Sequence, residues 1–239
     1  EEELKQTRDE LLHAAKLAAL GQMSASINHE MNQPLAAIRS YADNARLFLK
    51  KERVDDTLWN LEQIGELTER MGQVVAQLKL FSRKSSGKIV RVPLHGAIDG
   101  ALEILNPIIR KLDVIIEVKL NPENVEVMAN NVLLQQVFVN LINNAIQAVE
   151  NAPVGVVKIH SETKGKKVYI IVQDNGVGIP DDKLEHIFEP FFTTKISGQG
   201  LGLGLTITDR ILKEVGGSVF VASSSSGTSF EIVLHAAGE

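Results

Sequence analysis

Residues 168–179 read Val-Tyr-Ile-Ile-Val-Gln-Asp-Asn-Gly-Val-Gly-Ile, an apolar, β-branched run that ends in an aspartate and two glycines. Such a run is typical of a buried strand. The glycines let the backbone come close to a flat ligand, and Asp174 can accept a hydrogen bond from it. The letters Asp-Asn-Gly also favour a plain surface turn. The stretch therefore predicts a strand that ends either at a ligand pocket or at a turn.

Around this stretch, residues 87–239 alternate between helical and extended patterns. The helical patterns cover residues 97–111, 132–150 and 203–215, and the extended patterns cover residues 114–120, 156–162, 167–173, 218–222 and 228–234. The strands are short, and some of them are joined by tight turns. We therefore predict an α/β sandwich, with a mixed sheet and helices packed on one face, rather than a doubly wound parallel sheet.

Residues 1–85 differ in composition, because they contain one proline, Pro34, and are otherwise rich in helix formers. Apolar residues spaced three and four apart form a coiled-coil seam: Ile64, Leu67, Met71, Val74, Leu78 and Phe81. An apolar face also runs through the upstream part at Ile27, Leu35, Ile38 and Leu47. This first module is therefore predicted to be α-helical.

The charged residues 50–56 interrupt the helical pattern, and Asp55 or Asp56 is expected to N-cap the second helix. The result is a helical hairpin over residues 4–49 and 56–84. Two helices alone enclose little core, so we expect two copies to pair into a four-helix bundle. The alternative is an intramolecular antiparallel coiled coil that packs on the second module.

The composition of the chain excludes several classes of protein function. Hydrophobic residues make up 44% of the 239, as in a soluble globular protein, and no window of 18 uninterrupted apolar residues occurs. The formal net charge of −5 argues against a nucleic-acid partner. The chain has no cysteine, which excludes disulfides and thiol nucleophiles. Because it begins at Glu1 rather than at a methionine, we expect any sensor or membrane anchor to lie upstream.

Two further motifs suit a phosphate ligand. Asn140 and Asn144 are four residues apart on one helix face, where their carboxamide oxygens can meet a hard cation such as Mg²⁺. Residues 198–204 read Gly-Gln-Gly-Leu-Gly-Leu-Gly and lead into a helix, whose N-terminus favours anions. Between these motifs, residues 187–195 contain three phenylalanines, which are expected to anchor one end of a mobile lid, and Lys195, which can reach phosphate.

His29 has unusual neighbours on the predicted hairpin. Glu30 can fix the tautomer of the imidazole or take its proton, which leaves the other nitrogen free as a nucleophile. Pro34 cannot donate to the carbonyl of Glu30, so the helix is expected to bend or loosen there. This segment is a candidate for chemistry at a histidine.

Taken together, these motifs resemble the sensor histidine kinases of two-component systems. The order His-Glu-x-x-x-Pro-Leu, Asn-Leu-x-x-Asn-Ala, Asp-x-Gly-x-Gly-Ile, Phe-Glu-Pro-Phe-Phe and Gly-x-Gly-Leu-Gly-Leu matches that family's H, N, G1, F and G2 boxes. Gly227-Thr228-Ser229-Phe230 is similar to its closing element. The sequence around His29 resembles that of the kinases in the branch of C4-dicarboxylate sensors and nitrogen-regulation kinases.

The resemblance implies three segments: a coiled-coil signalling helix (1–20), a dimerisation and histidine phosphoacceptor domain (21–86) and a catalytic ATP-binding domain of the gyrase-like type (87–239). It also implies a role for each matched residue. His29 is the phosphoacceptor, Glu30 its acid–base neighbour, and Asn144 with Asn140 serves magnesium and the phosphates of ATP. Asp174 binds the adenine amino group. The positions that frame the nucleotide are Gly176, Gly178, Gly198, Gly200, Gly202 and Thr228.

Three positions depart from the family pattern. Gly204 stands where many relatives have Ala or Ser, which is expected to loosen the end of the lid. Asn130 occupies a position that is often acidic, and the sequence suggests no mechanism for it. Gln33 stands four residues after the phosphoacceptor, where many relatives orient a water that dephosphorylates the regulator. Its amide suits that task, but regulator phosphatase activity stays open.

The implied partners are a second copy of the chain and the receiver domain of a response regulator, of the sigma-54 activator class. The implied full-length protein is an inner-membrane receptor with this region on the cytoplasmic side. One rival function is ATP hydrolysis, for which the superfamily typically uses a glutamate at the position of Asn140. The other rival is a nucleotide-sensing dimeric scaffold without phosphotransfer.

Overall fold

The computed structural model describes residues 24–82, 88–190, 192–194 and 202–237. The helices are α1 (Ser24–Lys50), α2 (Val54–Ser82), α3 (Leu94–Lys111), α4 (Asn131–Ala148), α5 (Asp181–Leu184) and α6 (Gly204–Glu214). The strands are β1 (Val90–Pro93), β2 (Ile115–Lys119), β3 (Glu126–Ala129), β4 (Val156–Lys164), β5 (Lys167–Asp174), β6 (Ser218–Ser224) and β7 (Gly227–His235). The chain divides into two compact units, a helical one that contains α1 and α2 and an α/β one that contains the other elements.

The helical unit is a hairpin, as the sequence predicts. Helix α1 runs through Pro34, and α1 and α2 pack along each other. The predicted N-cap was wrong, because α2 begins at Val54 and places Asp55 and Asp56 inside its first turn. The carbonyl of Arg53 accepts the hydrogen bond from the Thr57 amide, so the chain is already helical where a cap was expected.

The hairpin leaves much apolar surface uncovered. Of the predicted seam, Ile64, Leu67 and Met71 are half-buried, while the side chains of Val74, Leu78 and Phe81 lie outside the described residues. Large apolar side chains that remain exposed are Leu35, Leu47, Leu49, Leu58, Trp59 and Leu61. Such a surface suits the bundle of two copies that the sequence predicts.

The α/β unit is built on a five-stranded mixed sheet in the order β2-β4-β5-β7-β6. Strands β2 and β4 are parallel, and the remaining neighbours are antiparallel. Helix α4 packs on β4, β5 and β7 and touches α3 on one side and α6 on the other. Alternate residues of β4 and β5 are buried, so one side of these strands faces the core. This is the predicted sandwich.

Strands β1 and β3 were not anticipated from the sequence. They pair antiparallel into a separate two-stranded sheet, from Val90 opposite Ala129 to Pro93 opposite Glu126. Each strand has four residues, too few for a period of two to stand out. Strand β3 leads directly into α4, so it fixes the start of the helix that carries the two asparagines.

Within the parts of the chain that are described, no helix is long and apolar enough to cross a membrane.

Candidate functional site

The carboxylate of Asp174 lies at the end of β5, and its side chain is 5% exposed. Its Oδ1 accepts hydrogen bonds from the amides of Gly176 at 2.8 Å and Thr228 at 3.2 Å. Burial raises the pKa of Asp174, and these two amides oppose the rise. Among the described residues, none donates to Oδ2. One oxygen is therefore fixed by the backbone, and the other is left for a ligand.

Glycines let three backbone segments close around this carboxylate. A Cβ on Gly176 would collide with the carbonyl of Ala148, at the end of α4. Gly178 has a φ of 72°, in the left-handed region, and a Cβ there would meet the carbonyl of Ser224. A Cβ on Gly227 would strike the carbonyl of Asp174 itself. The predicted roles of Gly176 and Gly178 as shapers of the pocket are compatible with this packing, whereas Gly227 was quoted in the closing element without a role of its own.

A hydroxyl pair links β6 and β7 beside Asp174. Thr228 is buried, and its Oγ1 lies 2.9 Å from the Oγ of Ser223. Ser223 Oγ in turn accepts a hydrogen bond from the amide of Ile179 at 2.8 Å. This contact holds the chain after Gly178 against the sheet. The sequence pointed to Thr228 but not to Ser223, which stands in a run of four serines that looks like a solvated turn.

Asn175 has a structural role next to the site. Its Oδ1 accepts a hydrogen bond from the amide of Val156, and its Nδ2 donates to the carbonyl of Val154. These bonds tie the turn after β5 to the chain that enters β4. The Asp-Asn-Gly stretch therefore forms a turn, and its role at a ligand pocket stays a prediction.

The two asparagines of helix α4 differ in burial and in the contacts that are described for them. Asn140 is 7% exposed, and its Oδ1 accepts a hydrogen bond from Gln136 Nε2 at 2.9 Å. Its Nδ2 donates to the carbonyl of Gly204 at 3.1 Å. Asn144 is half-buried, one turn further along the helix. The described contacts use both ends of the Asn140 carboxamide for packing, so they give no support to its expected place at magnesium.

Asn130, to which the sequence assigned no mechanism, caps α4. Its Oδ1 accepts a hydrogen bond from the amide of Leu133 at 3.1 Å, which satisfies one of the free donors of the first turn. An aspartate could cap the helix in the same way, so the departure from the family pattern preserves this function.

The aromatic and glycine-rich segments lie only partly within the described residues. Ile187 is buried, and the carbonyl of Phe188 accepts a hydrogen bond from Thr206 Oγ1 at 3.0 Å, which ties this segment to α6. Gly202 has a φ of 62°, which favours glycine. Lys195, Gly198 and Gly200 lie outside the described residues, so their predicted contacts with phosphate stay predictions.

The candidate phosphoacceptor segment belongs to α1. The side chains of His29 and Glu30 lie outside the described part of the structure, whereas Gln33, one turn after His29, is exposed. A helix places residues i and i+4 on one face, so His29 and Gln33 share a face of α1. The structure therefore describes the backbone of the segment and leaves its chemistry as a prediction.

Comparison with known proteins agrees with this fold. Residues 129–238 match the family of histidine kinase-, DNA gyrase B- and HSP90-like ATPases. The class that the sheet, α4 and Asp174 define is therefore an ATP-binding domain of this type. Residues 19–87 match the His Kinase A (phospho-acceptor) domain, which corresponds to the helical hairpin.

Among the relatives is the C4-dicarboxylate transport sensor protein DctB of Pseudomonas aeruginosa, 42% identical over 226 residues. The match covers 94% of this chain and 37% of that protein, so the chain spans well under half of the relative's length. The chain belongs to the sensor histidine kinases and comprises their transmitter region. The predicted family, its fold class and the resemblance to the C4-dicarboxylate sensor branch are thereby confirmed.

Two solved structures extend the comparison. The catalytic domain of histidine kinase ThkA is 33% identical, with a TM-score of 0.56, and the match covers 62% of this chain and 95% of that one. Histidine kinase ThkA in complex with response regulator protein TrrA gives a TM-score of 0.73 at 26% identity. That match covers 98% of this chain and 66% of the other, so it spans both units.

Proposed function

We propose that this chain phosphorylates itself on His29 with Mg-ATP and passes the phosphoryl group to an aspartate of a response regulator. The observation that carries the proposal is the Asp174 carboxylate, which is buried, held by the backbone at Oδ1 and left open at Oδ2. An acceptor of this kind suits the exocyclic amino group of adenine. The purine thus occupies the pocket framed by Gly176, Gly178 and Thr228.

The transfer step needs a neutral imidazole. A ring nitrogen of His29 attacks the γ-phosphorus of ATP, an N–P bond forms, and the bond from that phosphorus to the β–γ bridging oxygen breaks. ADP leaves with the bonding electrons, and Glu30 accepts the proton from the other ring nitrogen. In the second transfer the N–P bond breaks, and an acyl phosphate forms on the aspartate of the regulator.

Magnesium fits the residues present through Asn144. A carboxamide oxygen is a suitable ligand for this hard cation, which usually takes few ligands from the protein and completes its shell with water and phosphate. Within the described residues, no group of three acidic, histidine or cysteine side chains could hold a metal by itself. When bound, the ion supplies positive charge that balances the phosphate oxygens.

We propose two partners for this chain, a second copy of itself and a response regulator. A second copy covers the exposed leucines of α1 and α2, which gives a homodimer. The regulator partner is proposed by analogy with the ThkA complex, and its membership of the sigma-54 activator class is proposed from the resemblance of the sequence around His29 alone. We also propose that Gln33 supports dephosphorylation of the regulator, and that the full-length protein is a membrane receptor with this region in the cytoplasm.

The test is incubation of the 239-residue chain with γ-labelled Mg-ATP. We expect an acid-labile, base-stable label on the wild type and on the control His95→Gln, which removes an exposed histidine from α3. His29→Gln should carry no label. Added receiver domain should remove the label from the wild type and gain a hydroxylamine-sensitive one.

Two outcomes would favour the rival functions instead. Rapid release of phosphate by His29→Gln would indicate an ATP hydrolase. Tight binding of ATP by the wild type, without any label on the protein, would indicate a nucleotide-sensing scaffold. Labelling that persists in His29→Gln would place the phosphoacceptor at another residue.

A further inference from the structure

Helix α4 and the start of helix α6 are joined by hydrogen bonds through one side chain, although they are 64 residues apart in sequence. Asn140 Nδ2 donates to the Gly204 carbonyl at 3.1 Å and lies 3.5 Å from Thr208 Oγ1, while Asn140 Oδ1 accepts from Gln136 at 2.9 Å. We call Gln136, Asn140, Gly204 and Thr208 the α4–α6 clamp.

The α4–α6 clamp is shielded from water, since Asn140 is nearly buried and Thr208 is fully buried. A buried hydrogen bond of this kind is costly to lose, because the freed polar groups find no water in exchange. Gln136 holds the carboxamide in the orientation that aims its amino group at Gly204. The three side chains therefore act as one unit.

The residues of the α4–α6 clamp are close in sequence to two motifs that the proposed function assigns to the phosphates. Asn144 follows Asn140 by one turn of α4, and Gly202 precedes Gly204 by two residues. Because Asn140 is bonded to Gly204, the distance between Asn144 and the first turn of α6 is set by this contact. That first turn presents amide donors, which favour an anion.

We propose that Asn140 is a positioning residue, which holds the start of α6 against α4 and so fixes Asn144 relative to the amides of α6, and that it is not a ligand of magnesium. The inference rests on the proposed use of ATP. The residue at the start of α6 explains why such a restraint is useful. Gly204 is a glycine at the first position of a helix, and a glycine restricts its own backbone conformation less than other residues do. The hydrogen bond from Asn140 restrains the backbone at this glycine.

The first test measures hydrogen exchange of the nucleotide-free 239-residue chain. In Asn140→Asp the donor to Gly204 becomes an acceptor of the same size, so we expect α6 amides to exchange about fivefold faster or more. Peptides from α3 should be unchanged. The matched control is Asn131→Asp, the same change at an exposed position of α4. Asn140→Ala, which adds no charge, should behave like Asn140→Asp.

The second test separates positioning from metal binding. In Asn140→Ala, which removes both the donor and any ligand oxygen without adding a charge, ATP should bind about tenfold more weakly with Mg²⁺ and also in EDTA, whereas adenosine, which tests only the adenine pocket, should bind within about twofold of the wild type. Gly204→Ala should restore part of the α6 protection in the Asn140→Asp background, because the added Cβ would lie 3.8 Å from the Asn140 Cγ, an ordinary contact.

Two results would overturn the inference: unchanged exchange of α6 in both Asn140 variants, or a loss of ATP affinity that vanishes in EDTA. The latter would make Asn140 a metal ligand. A wild type that binds no ATP would refute the proposed function instead, and the exchange data would still report on the α4–α6 clamp.

Discussion

Replacing Asp174 by asparagine should weaken nucleotide binding strongly while leaving the fold intact. The asparagine carboxamide is nearly isosteric with the carboxylate, and its oxygen can still accept the amides of Gly176 and Thr228. Its amino group then occupies the place of Oδ2, where it faces the amino group of adenine. A donor meets a donor, so the hydrogen bond that recognises the base is lost.

The size of the effect follows from the burial of the site. A hydrogen bond to a charged group contributes about 1.5–3 kcal/mol, and the exposed fraction of 5% puts Asp174 at the upper end of that range. A loss of about 3 kcal/mol corresponds to a dissociation constant about two orders of magnitude larger. We expect this result from calorimetric titration with Mg-ATP. Asp99→Asn, the same change at an exposed position of α3, should bind like the wild type.

The stability of Asp174→Asn depends on pH with a definite sign. Burial raises the pKa of Asp174, so the ionised carboxylate is less favourable in the folded chain than in the unfolded one. The contribution of this group to stability is greatest below its unfolded pKa and is lost as the pH rises through the folded pKa. The variant should therefore be at least as stable as the wild type at pH 8, with an advantage that shrinks towards acid pH.

Two results would refute this reasoning. Wild-type affinity for ATP in Asp174→Asn would mean that the carboxylate does not contact the base. A variant that unfolds more easily than the wild type at pH 8 would mean that the charge of Asp174 stabilises the fold, and any loss of binding would then reflect damage to the pocket.

Two more predictions concern other parts of the molecule. Asn60 is 2% exposed in the hairpin, and its Oδ1 has no hydrogen-bond partner among the described residues. Asn60→Leu should therefore raise the free energy of unfolding by about 1–3 kcal/mol, measured with urea at fixed protein concentration. A lower urea midpoint than that of the wild type would contradict this prediction. His186 Nδ1 lies 2.9 Å from a carboxylate oxygen of Glu189, and this contact raises the pKa of His186. Glu189→Gln should lower that pKa in an NMR titration, and it should remove a stabilisation that the wild type loses as the pH rises through the His186 pKa. An equal His186 pKa in both proteins would show that the pair does not form in solution.

The main helices and strands could be predicted from the sequence because each carries a local pattern. Strand β5 is an example, since its run from Val168 to Val172 is apolar and β-branched over enough residues to be recognised. Strands β1 and β3 could not be found in this way, because the paired residues of the two strands are 33–39 positions apart and each strand offers only four residues of pattern. The N-cap of α2 was placed too late because the helix starts within the charged stretch itself.

The candidate site likewise contains residues that could be predicted from the sequence and residues that could not. Asp174 could be predicted because a carboxylate at the end of a strand, followed by glycines, is a local signal. Ser223 could not, because its contact with Ile179 joins positions 44 residues apart. Helical spacing indicated that Asn140 and Asn144 share a face, but it could not indicate that Gly204 would bond to Asn140. Such partners are set by tertiary packing, which spacing along the chain does not encode.

Helix α4 connects the two halves of the candidate site. At its C-terminal end, the carbonyl of Ala148 accepts a hydrogen bond from the amide of Val177 and lies against Gly176, so the backbone that frames the proposed adenine pocket packs on this end. Two turns earlier, Asn140 holds the start of α6. Each half is held by its own hydrogen bonds, and α4 is the element that both halves contact. A change in one set of bonds should therefore alter binding of adenosine or of the phosphates separately, whereas a change that shifts α4 should alter both together.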